Sequence, residues 1–287
     1  MCYIYIENEK STAATEVVRT GECMSVAIIT GASGGIGREF ALQLCTDYGV
    51  KEFWLVARNK SKLGALADEL RGLGATAEVI SADLGAREGI NHVKALLEEK
   101  KPEVSHLVNA AGYGKFGRFD ELSENDIAGM IDLNSKALVL LTHATVPYMK
   151  RGGRIVQLGS GSCFTPLPNF NVYAASKSLV LHYTKALNFE LKRYGIRATC
   201  FCPGWVATDF FGVAEGEGVS GPKKKCIKPL LNAKKITRGC LKAVKRGKAM
   251  YVTGWYTKMQ HVLFKLVPDP ILTRIWMRMQ EGPNKER

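Results

Sequence analysis

From Val26 onward, short apolar runs alternate with longer stretches in which apolar residues recur every three or four positions. The short runs are rich in Val and Ile and do not alternate strictly with polar residues, which is typical of parallel strands covered on both faces. The predicted strands are Val26–Thr30, Glu52–Ala57, Thr76–Ser81, His106–Asn109, Arg154–Leu158, Arg197–Cys202 and Ala249–Thr253. The predicted helices between them are Gly37–Tyr48, Ser61–Leu73, Gly89–Lys100, Ser123–Lys150, Val172–Tyr194 and Ala233–Arg246. Strand and helix in alternation predict an α/β fold, a doubly wound parallel sheet with helices on both faces.

Two segments lie outside this alternation. Residues 1–23 show no clear periodicity, and Met24 stands two residues before the first predicted strand. We therefore expect Met24 to be the natural start, with residues 1–23 as an upstream extension that is not native. The segment Trp205–Pro229 is rich in Gly, Lys and Pro and is predicted to be a loop.

The composition favours a single globular domain. The 287 residues are 46% hydrophobic and 23% charged, without repeats or low-complexity tracts, and a chain of this size can bury a substantial core. No run reaches the roughly 20 apolar residues that a membrane-spanning helix needs. The N-terminus lacks the basic flank and apolar centre of a signal peptide. The cytoplasm is the expected compartment.

The eight cysteines and five histidines do not indicate a disulfide framework or a metal site. Cys45 and Cys240 lie in predicted helices, and Cys200 and Cys202 lie in a predicted strand. In a chain of this size without a secretory signal we expect reduced, mostly buried thiols. The histidines are scattered along the chain and the cysteine pair lacks zinc-binding partners, so no metal is expected.

A glycine-rich turn connects the first predicted strand to the first predicted helix, and it reads Thr-Gly-Ala-Ser-Gly-Gly-Ile-Gly. Glycines permit a tight turn and let the backbone approach a pyrophosphate, while the N–H groups at the helix N-terminus attract the anion. Strand, turn and helix in this order predict a dinucleotide site on a Rossmann-type fold. The turn residues expected to contact the cofactor are Gly31, Ser33, Gly35, Ile36 and Gly37.

The end of the second predicted strand indicates which dinucleotide binds. Sites for NAD usually carry an acidic residue here that binds the ribose 2′-hydroxyl. This strand is instead followed by Arg58 and Asn59. Because a planar guanidinium can pair with a 2′-phosphate, these residues predict a site for NADP(H). The alternative is a surface arginine at a strand end, without a ligand.

The glycine spacing and the motifs that follow in order resemble the short-chain dehydrogenase/reductase family, from about Val26 to Thr253. The matching residues after the turn are Asp83, Leu84, Asn109, Ala110, Ala111, Gly112, Asn134, Ser160, Tyr173, Lys177, Pro203, Gly204, Val206 and Thr208. The Asn109-Ala110 pair is a slight variant of the family's Asn-Asn. The resemblance implies that residues 24–255 form an NADP-binding catalytic domain that includes the loop 205–229.

The resemblance also implies contacts with the cofactor. Asp83 follows the third strand, where the family's aspartate holds the adenine. Thr208 lies where the family binds the nicotinamide amide. The other expected cofactor contacts are Leu84, Asn109, Ala110, Gly112, Tyr173, Lys177, Pro203, Gly204 and Val206.

Tyr173 is the predicted acid and base. Hydride transfer at a carbon requires a proton to move at its oxygen, and an unperturbed tyrosine, with a pKa of about 10, is a poor base at neutral pH. Lys177 lies one helical turn later on the same face, and its charge is expected to lower the pKa of Tyr173. Ser160 is expected to stabilise the substrate oxygen, with Ser162 as its rival. The resemblance further implies that Lys177 binds the nicotinamide ribose and that Asn134 helps to hold a water-linked proton path.

These features predict an NADP(H)-dependent oxidoreductase that interconverts a ketone and a secondary alcohol. Apolar residues before Tyr173, namely Phe164, Leu167 and Phe170, favour a lipophilic substrate such as a hydroxysteroid or a 3-oxoacyl compound. The alternative is that these side chains only pack the loop onto the body of the domain. The resemblance implies a homodimer or homotetramer, since relatives commonly pair through the helices that hold Asn134 and Tyr173.

Two other functions are weighed against this prediction. A non-catalytic NADPH-sensing or scaffold protein could use the same fold, but the complete set of catalytic residue types disfavours it. Epimerisation or dehydration of a sugar nucleotide is disfavoured because those relatives usually have a larger C-terminal domain, for which this chain has little room.

The excess positive charge lies in the last quarter of the chain. The formal charge is +13, and residues 219–287 contain 17 Lys/Arg but only three acidic residues. Residues 256–287 form a basic amphipathic segment interrupted by Pro268 and Pro270. Three interpretations stay open: peripheral contact with an anionic membrane, a cover over the substrate site or a partner subunit, or the solvated face of a docked helix. Nucleic-acid binding fits the charge but lacks a recognisable module.

Overall fold

The computed structural model describes residues 25–208, Phe210, Ala214 and residues 230–281. The predicted extension 1–23 and most of the predicted loop 205–229 therefore lie outside the described residues. The strands of the described part are β1 (Val26–Thr30), β2 (Glu52–Ala57), β3 (Thr76–Ser81), β4 (Val104–Asn109), β5 (Met149–Leu158), β6 (Arg197–Cys202) and β7 (Met250–Val252). The helices are α1 (Gly35–Tyr48), α2 (Lys60–Gly72), α3 (Arg87–Lys100), α4 (Glu124–Ile131), α5 (Leu138–Thr145), α6 (Asn171–Glu190), α7 (Ala233–Lys245), α8 (Trp255–Leu266) and α9 (Asp269–Glu281).

The strands form one parallel sheet in the order β3-β2-β1-β4-β5-β6-β7. Side chains that alternate along a strand pack into different cores. From β1, Ala27 and Ile29 join a core with α1, α2 and α7, whereas Val26 and Ile28 join a core with α3 and α5. Burial on both faces explains the absence of polar alternation in the strand sequences. The predicted Rossmann-type α/β fold is confirmed.

The predicted helix Ser123–Lys150 is wrong at its C-terminal end. The α-helical path is interrupted by a π-helical turn at Asp132–Ala137, and the last helical residues form a 3₁₀ turn at Val146–Tyr148. Pro147 in that turn lacks the N–H that a continuing α-helix requires. Strand β5 begins directly afterwards, five residues before the predicted start at Arg154, and Met149 pairs with Val104 of β4.

The C-terminal segment folds as two helices separated at Pro268, as the proline positions predict. Helix α9 is hydrogen-bonded to the segment before α6. The indole N–H of Trp276 donates to the carbonyl of Pro168 at 2.8 Å, and the Gln280 amide donates to the same carbonyl at 3.1 Å. The end of the described chain is thus attached to the body of the domain. Nowhere in the described ranges is a helix both long and apolar enough to cross a membrane.

The described cysteines are buried free thiols, as predicted, and they are Cys45, Cys163, Cys200, Cys202 and Cys240. Among the residues that the structure describes, no three His, Cys, Asp or Glu side chains come together in an arrangement that could hold a metal ion.

Candidate active site

A cleft of about 1010 Å³ opens at the carboxyl ends of the strands. It is lined by residues that directly follow β1, β4, β5 and β6, namely Gly31, Ala110, Gly159 and Pro203. Strands β1 and β4 are adjacent although the intervening strands lie elsewhere, so the strand order reverses between them. Crevices at such a reversal bind ligands in open α/β sheets.

The glycine-rich turn forms one end of the cleft and fits a pyrophosphate. Gly31 has a φ of +67°, which side chains rarely permit, and a Cβ atom on Gly37 would lie 2.3 Å from the carbonyl oxygen of Gly31. The first turn of α1 has no side-chain cap and no acidic residue. Its N–H groups and the positive end of its dipole are therefore available to an anion in the cleft.

The corner after β2 contains the two residues predicted to select the dinucleotide. Arg58 is exposed and lines the cleft, as does Asn59. The carboxamide oxygen of Asn59 accepts a hydrogen bond of 2.9 Å from the backbone N–H of Lys62 and caps α2. Lys62 also lines the cleft, and the sequence interpretation missed it. Asp83 faces the same corner, where its side chain accepts a 2.9 Å hydrogen bond from the backbone of Gly85.

Ser160, Tyr173 and Lys177 meet in the middle of the cleft. Ser160 and Tyr173 are hydrogen-bonded through their side chains. The Lys177 ammonium lies 5.7 Å from the centre of the Tyr173 ring and donates a 2.8 Å hydrogen bond to the carbonyl of Leu158. The rival serine, Ser162, donates its backbone N–H to the Ser160 hydroxyl at 3.2 Å. The hydroxyl of Ser162 has no hydrogen-bond partner among the described residues.

The expected lowering of the Tyr173 pKa by Lys177 is wrong. Burial raises the pKa of Tyr173 above its usual value, and the hydrogen bond with Ser160 opposes that rise only in part. Burial also lowers the pKa of Lys177 to about 8. Both side chains are buried, and burial penalises the charged form of each group, so it raises the pKa of the phenol and lowers the pKa of the ammonium. Tyr173 is therefore a protonated phenol at neutral pH.

Asn134 does not line the cleft but braces its wall. It is fully buried in the π-helical turn between α4 and α5. Its amide donates to the carbonyl of Tyr113 at 2.8 Å and to the hydroxyl of Ser176 at 3.1 Å, and its oxygen accepts from the backbone of Tyr113 at 3.0 Å. Asn134 thus joins the segment after β4 to α6, next to Lys177. Its part in a water-linked proton path stays a prediction.

Asn109 is likewise outside the cleft. Its amide donates to Gln157 on β5 at 2.9 Å and to Thr142 on α5 at 3.0 Å. These bonds hold the centre of the sheet together. The structure therefore gives Asn109 a role in joining elements, and its predicted contact with the cofactor stays a prediction. The other predicted cofactor residues line the cleft, and they are Gly31, Ser33, Gly35, Ile36, Gly37, Arg58, Asn59, Asp83, Leu84, Ala110, Gly112, Tyr173, Lys177, Pro203, Gly204, Val206 and Thr208.

Helices α8 and α9 cover the other end of the cleft. We call these two helices the roof. Met259, Leu263, Leu272 and Trp276 line the cleft from these helices. A cover over the substrate site was one of three interpretations of residues 256–287 in the sequence. The sequence did not identify which residues of this segment line the cleft. The apolar spacing within residues 256–287 was the available signal, but it did not show which face points inward.

The space beneath the roof is apolar. Phe170 stacks on Tyr173 with ring centres 4.3 Å apart, and Phe210 lies 5.6 Å from Tyr173. The charged residues among the described lining are Arg58, Lys62, Asp83 and Lys177. The first three lie in the corner after β2 and β3. Beyond Lys177, the described residues beneath the roof present no charged side chain.

The comparisons with known proteins agree with this geometry. The sequence pattern described as short chain dehydrogenase matches residues 25–216. The 2,3-dihydro-2,3-dihydroxybenzoate dehydrogenase of Bacillus subtilis is 31% identical over 186 residues, which cover 64% of this chain and 70% of the relative.

Two solved structures are also similar over most of the chain. A short-chain dehydrogenase from Sphingobium yanoikuyae in complex with NADPH is 26% identical with a TM-score of 0.73, over 92% of this chain and 99% of the other. An alcohol dehydrogenase from the archaeon Thermococcus sibiricus, complexed with 5-hydroxy-NADP, is 28% identical with a TM-score of 0.68, over 80% and 96% of the two chains. The motif order, the sheet and these matches together show that the chain is an oxidoreductase belonging to the short-chain dehydrogenase family.

Proposed function

We propose that this protein is an NADP(H)-dependent oxidoreductase that interconverts a ketone and a secondary alcohol. The observation that carries the proposal is the position of Ser160, Tyr173 and Lys177 between the glycine-rich turn and the apolar roof. A cofactor extended from the turn would bring its reactive end to these three side chains, while a substrate under the roof would approach them from the other side.

The corner after β2 supports NADP(H) over NAD(H). Arg58 and Lys62 both line it, so a 2′-phosphate there would meet two cations. A guanidinium can bind a phosphate through two hydrogen bonds, and each charge-assisted bond is stronger than a neutral one. The solved relatives from Sphingobium yanoikuyae and Thermococcus sibiricus, which hold NADPH and an NADP derivative, support the same choice.

The three central side chains would manage the proton and the charge on the substrate oxygen. When bound, NADP(H) would supply or accept the hydride through its nicotinamide. Tyr173, a phenol at neutral pH because burial raises its pKa, donates its proton to the oxygen of a ketone that is being reduced. Ser160 donates a hydrogen bond to the same oxygen. In its protonated form, Lys177 stabilises the phenolate that Tyr173 becomes, and in the oxidation direction that phenolate takes the proton back.

The apolar space beneath the roof supports a lipophilic substrate. Phe170, Trp205, Leu272 and Trp276 line it together with Tyr173. A buried charge without a partner is costly, so this part of the substrate is uncharged and offers a large apolar area. A hydroxysteroid or a 3-oxoacyl chain meets both conditions.

Exposed apolar side chains on α4, α5 and α6 support a homo-oligomer. Ile131, Leu140, Leu179 and Phe189 are all exposed, with 81% of Phe189 accessible. In symmetric oligomers, apolar side chains that neighbouring helices expose on the same side of a subunit typically form the core of the interface. We propose that two copies pair through this side, which leaves the cleft of each copy open.

The test of this function is the substitution Tyr173→Phe. It removes the hydroxyl that carries the proton and keeps the ring that stacks on Phe170. We expect the rate of NADPH-dependent ketone reduction to fall about a thousandfold, within the usual contribution of acid catalysis, while the Kd for NADPH changes little. Turnover is measured by loss of NADPH absorbance with a panel of ketones, and affinity by NADPH fluorescence.

Tyr183→Phe is the matched control, because Tyr183 lies on the same helix and does not line the cleft. It should turn over at the parent rate. Full activity in Tyr173→Phe would refute the mechanism. NADPH binding without turnover of any ketone or alcohol would favour the sensing or scaffold function.

A further inference from the structure

The outward side of α8 and α9 carries an unusual amount of exposed apolar surface. Of the fourteen large apolar side chains that are exposed in the described residues, seven lie on these two helices. Leu266 is 76% exposed and Val262 is 58% exposed. We call this surface the outer C-terminal face, and its exposed apolar residues are Trp255, Met259, Val262, Leu263, Leu266, Ile271 and Ile275.

Helix α9 does not need this surface for its attachment to the domain. Its inward stripe contains the buried residues Leu272 and Gln280 and the hydrogen-bonded Trp276. Ile271 lies on its outward stripe, and Ile275, one helical turn later, is exposed at the margin between that stripe and the cleft, which it also lines. The helix is thus apolar on both sides. A contiguous apolar patch in water marks a contact with a membrane or another molecule.

The same face is positively charged. Lys258 on α8 and Arg274 and Arg278 on α9 are exposed. Arg274 and Arg278 lie three and seven positions after Ile271, which places them beside it on the helix surface. The acidic residues of the two helices are Asp269 and Glu281, at the ends of α9. Apolar side chains flanked by cations are suited to the boundary between the headgroups and acyl chains of an anionic bilayer.

The face is continuous with the mouth of the cleft. Four of its seven apolar residues line the cleft and are also exposed on the outside, namely Trp255, Met259, Leu263 and Ile275. The space beneath the roof and the outer C-terminal face therefore form one apolar surface. A second copy of the chain on this face would bring the cations of both copies together, which disfavours self-association there.

We propose that the outer C-terminal face docks on anionic lipid bilayers, with the mouth of the cleft turned towards the lipid. Val262, Leu266 and Ile271 enter the acyl boundary, and Lys258, Arg274 and Arg278 bind the headgroups. A lipophilic substrate then passes from the bilayer to Tyr173 without crossing water, a consequence that rests on the proposed function. Docking itself does not depend on the reaction.

The test is co-sedimentation of the full chain with two kinds of vesicle, pure phosphatidylcholine and phosphatidylcholine with one third phosphatidylglycerol. We expect binding to the anionic vesicles and weaker binding to the neutral ones, with salt reducing the difference. The double variant V262D/L266D should bind the anionic vesicles at least about tenfold more weakly. Neither residue lines the cleft, so reduction of a water-soluble ketone should be unchanged.

A second variant removes charge without changing the apolar residues. R274Q/R278Q should lose about fivefold in affinity per removed charge on anionic vesicles and little on neutral ones. Leu73→Asp is the control, because Leu73 is an exposed leucine between α2 and β3, at the opposite edge of the sheet from β7. It should bind vesicles like the parent protein.

Several results would overturn the docking proposal. One is a parent protein that binds neither vesicle, and another is full binding by both double variants. A third is a lipid-free sedimentation experiment in which V262D/L266D converts an oligomer into monomers, which would assign the face to a second copy. Binding to vesicles by a protein that reduces no ketone would instead contradict the proposed function and leave the docking intact.

Discussion

The two ends of the cleft are built in different ways. At the cofactor end, the glycine-rich turn and Arg58 follow β1 and β2, which are adjacent in the sheet. At the substrate end, α9 is joined to the segment before α6 by the hydrogen bond between Trp276 and Pro168, which are 108 positions apart. The first end consists of local motifs on a buried sheet, whereas the second is assembled from distant segments.

The two ends of the cleft are expected to respond differently to substitutions. The cofactor end leaves no room for side chains at Gly31 and Gly37, because a Cβ atom at either position would lie within 3 Å of backbone atoms. The roof consists of two helices that expose much of their apolar surface. We expect changes at the cofactor end to affect every substrate equally, and changes in the roof to affect large substrates selectively.

Among changes that compare the two ends of the cleft, the largest effect is expected from Gly37→Ala. The added methyl group would lie 2.3 Å from the carbonyl oxygen of Gly31, so the turn must shift. We expect NADPH binding to weaken about a hundredfold, as overpacking costs of 1–3 kcal/mol imply. Fluorescence titration measures the Kd. Gly64→Ala is the control, because its methyl group would meet no atom within 4 Å on α2; NADPH affinity should be retained and thermal stability should rise slightly. Unchanged affinity in Gly37→Ala would contradict the assignment of the turn.

A smaller and more selective effect is expected from Arg58→Ala. Loss of a charge-assisted contact should weaken NADPH binding about thirtyfold and leave NADH binding nearly unchanged. The comparison of the two Kd values is the measurement. Arg71→Ala, on the exposed end of α2, removes the same charge away from the cleft and should change neither value. Equal losses for both cofactors in Arg58→Ala would rule out a 2′-phosphate contact.

Trp276→Ala tests the substrate end. It removes a large apolar side chain of the roof that lines the cleft, together with its hydrogen bond to the carbonyl of Pro168. We expect kcat/KM for a bulky ketone to fall about tenfold, as the loss of buried aromatic area implies, with little change for a small ketone or in NADPH affinity. Ile271→Ala on the outward stripe is the control in a lipid-free assay. An equal loss of kcat/KM for both ketones would mean that the roof positions the catalytic groups and does not select substrates by their size.

The smallest effect is a shift in pH dependence. Burial lowers the pKa of Lys177 to about 8, so its ammonium charge is present below that pH and is lost above it. We therefore expect kcat/KM for ketone reduction, which reports the free enzyme, to decline as the pH rises through about 8. Lys177→Arg keeps the charge and should move this decline to higher pH. Lys185→Arg, exposed on the same helix, should not move it. An identical decline in Lys177→Arg would assign it to another group.

Much of the sheet could be predicted because the strands are short apolar runs with polar or glycine neighbours. The bounds of β1, β2, β3 and β6 agree with the sequence interpretation. The helix before β5 was predicted too long because apolar periodicity continues through the π-helical turn and past Pro147. Periodicity reports which face is apolar, and it does not report where the hydrogen-bonding pattern of the backbone changes.

The amino-acid sequence by itself determined the fold class, the dinucleotide turn and the set of catalytic residue types, since each depends on spacing along a few neighbouring residues. The tertiary structure decided that Asn109 joins elements, that Ser160 rather than Ser162 meets Tyr173, and that α8 and α9 cover the cleft. It also decided that the pKa of Tyr173 is raised and not lowered. Desolvation depends on every atom that packs around the phenol, and those atoms come from segments far apart in the chain.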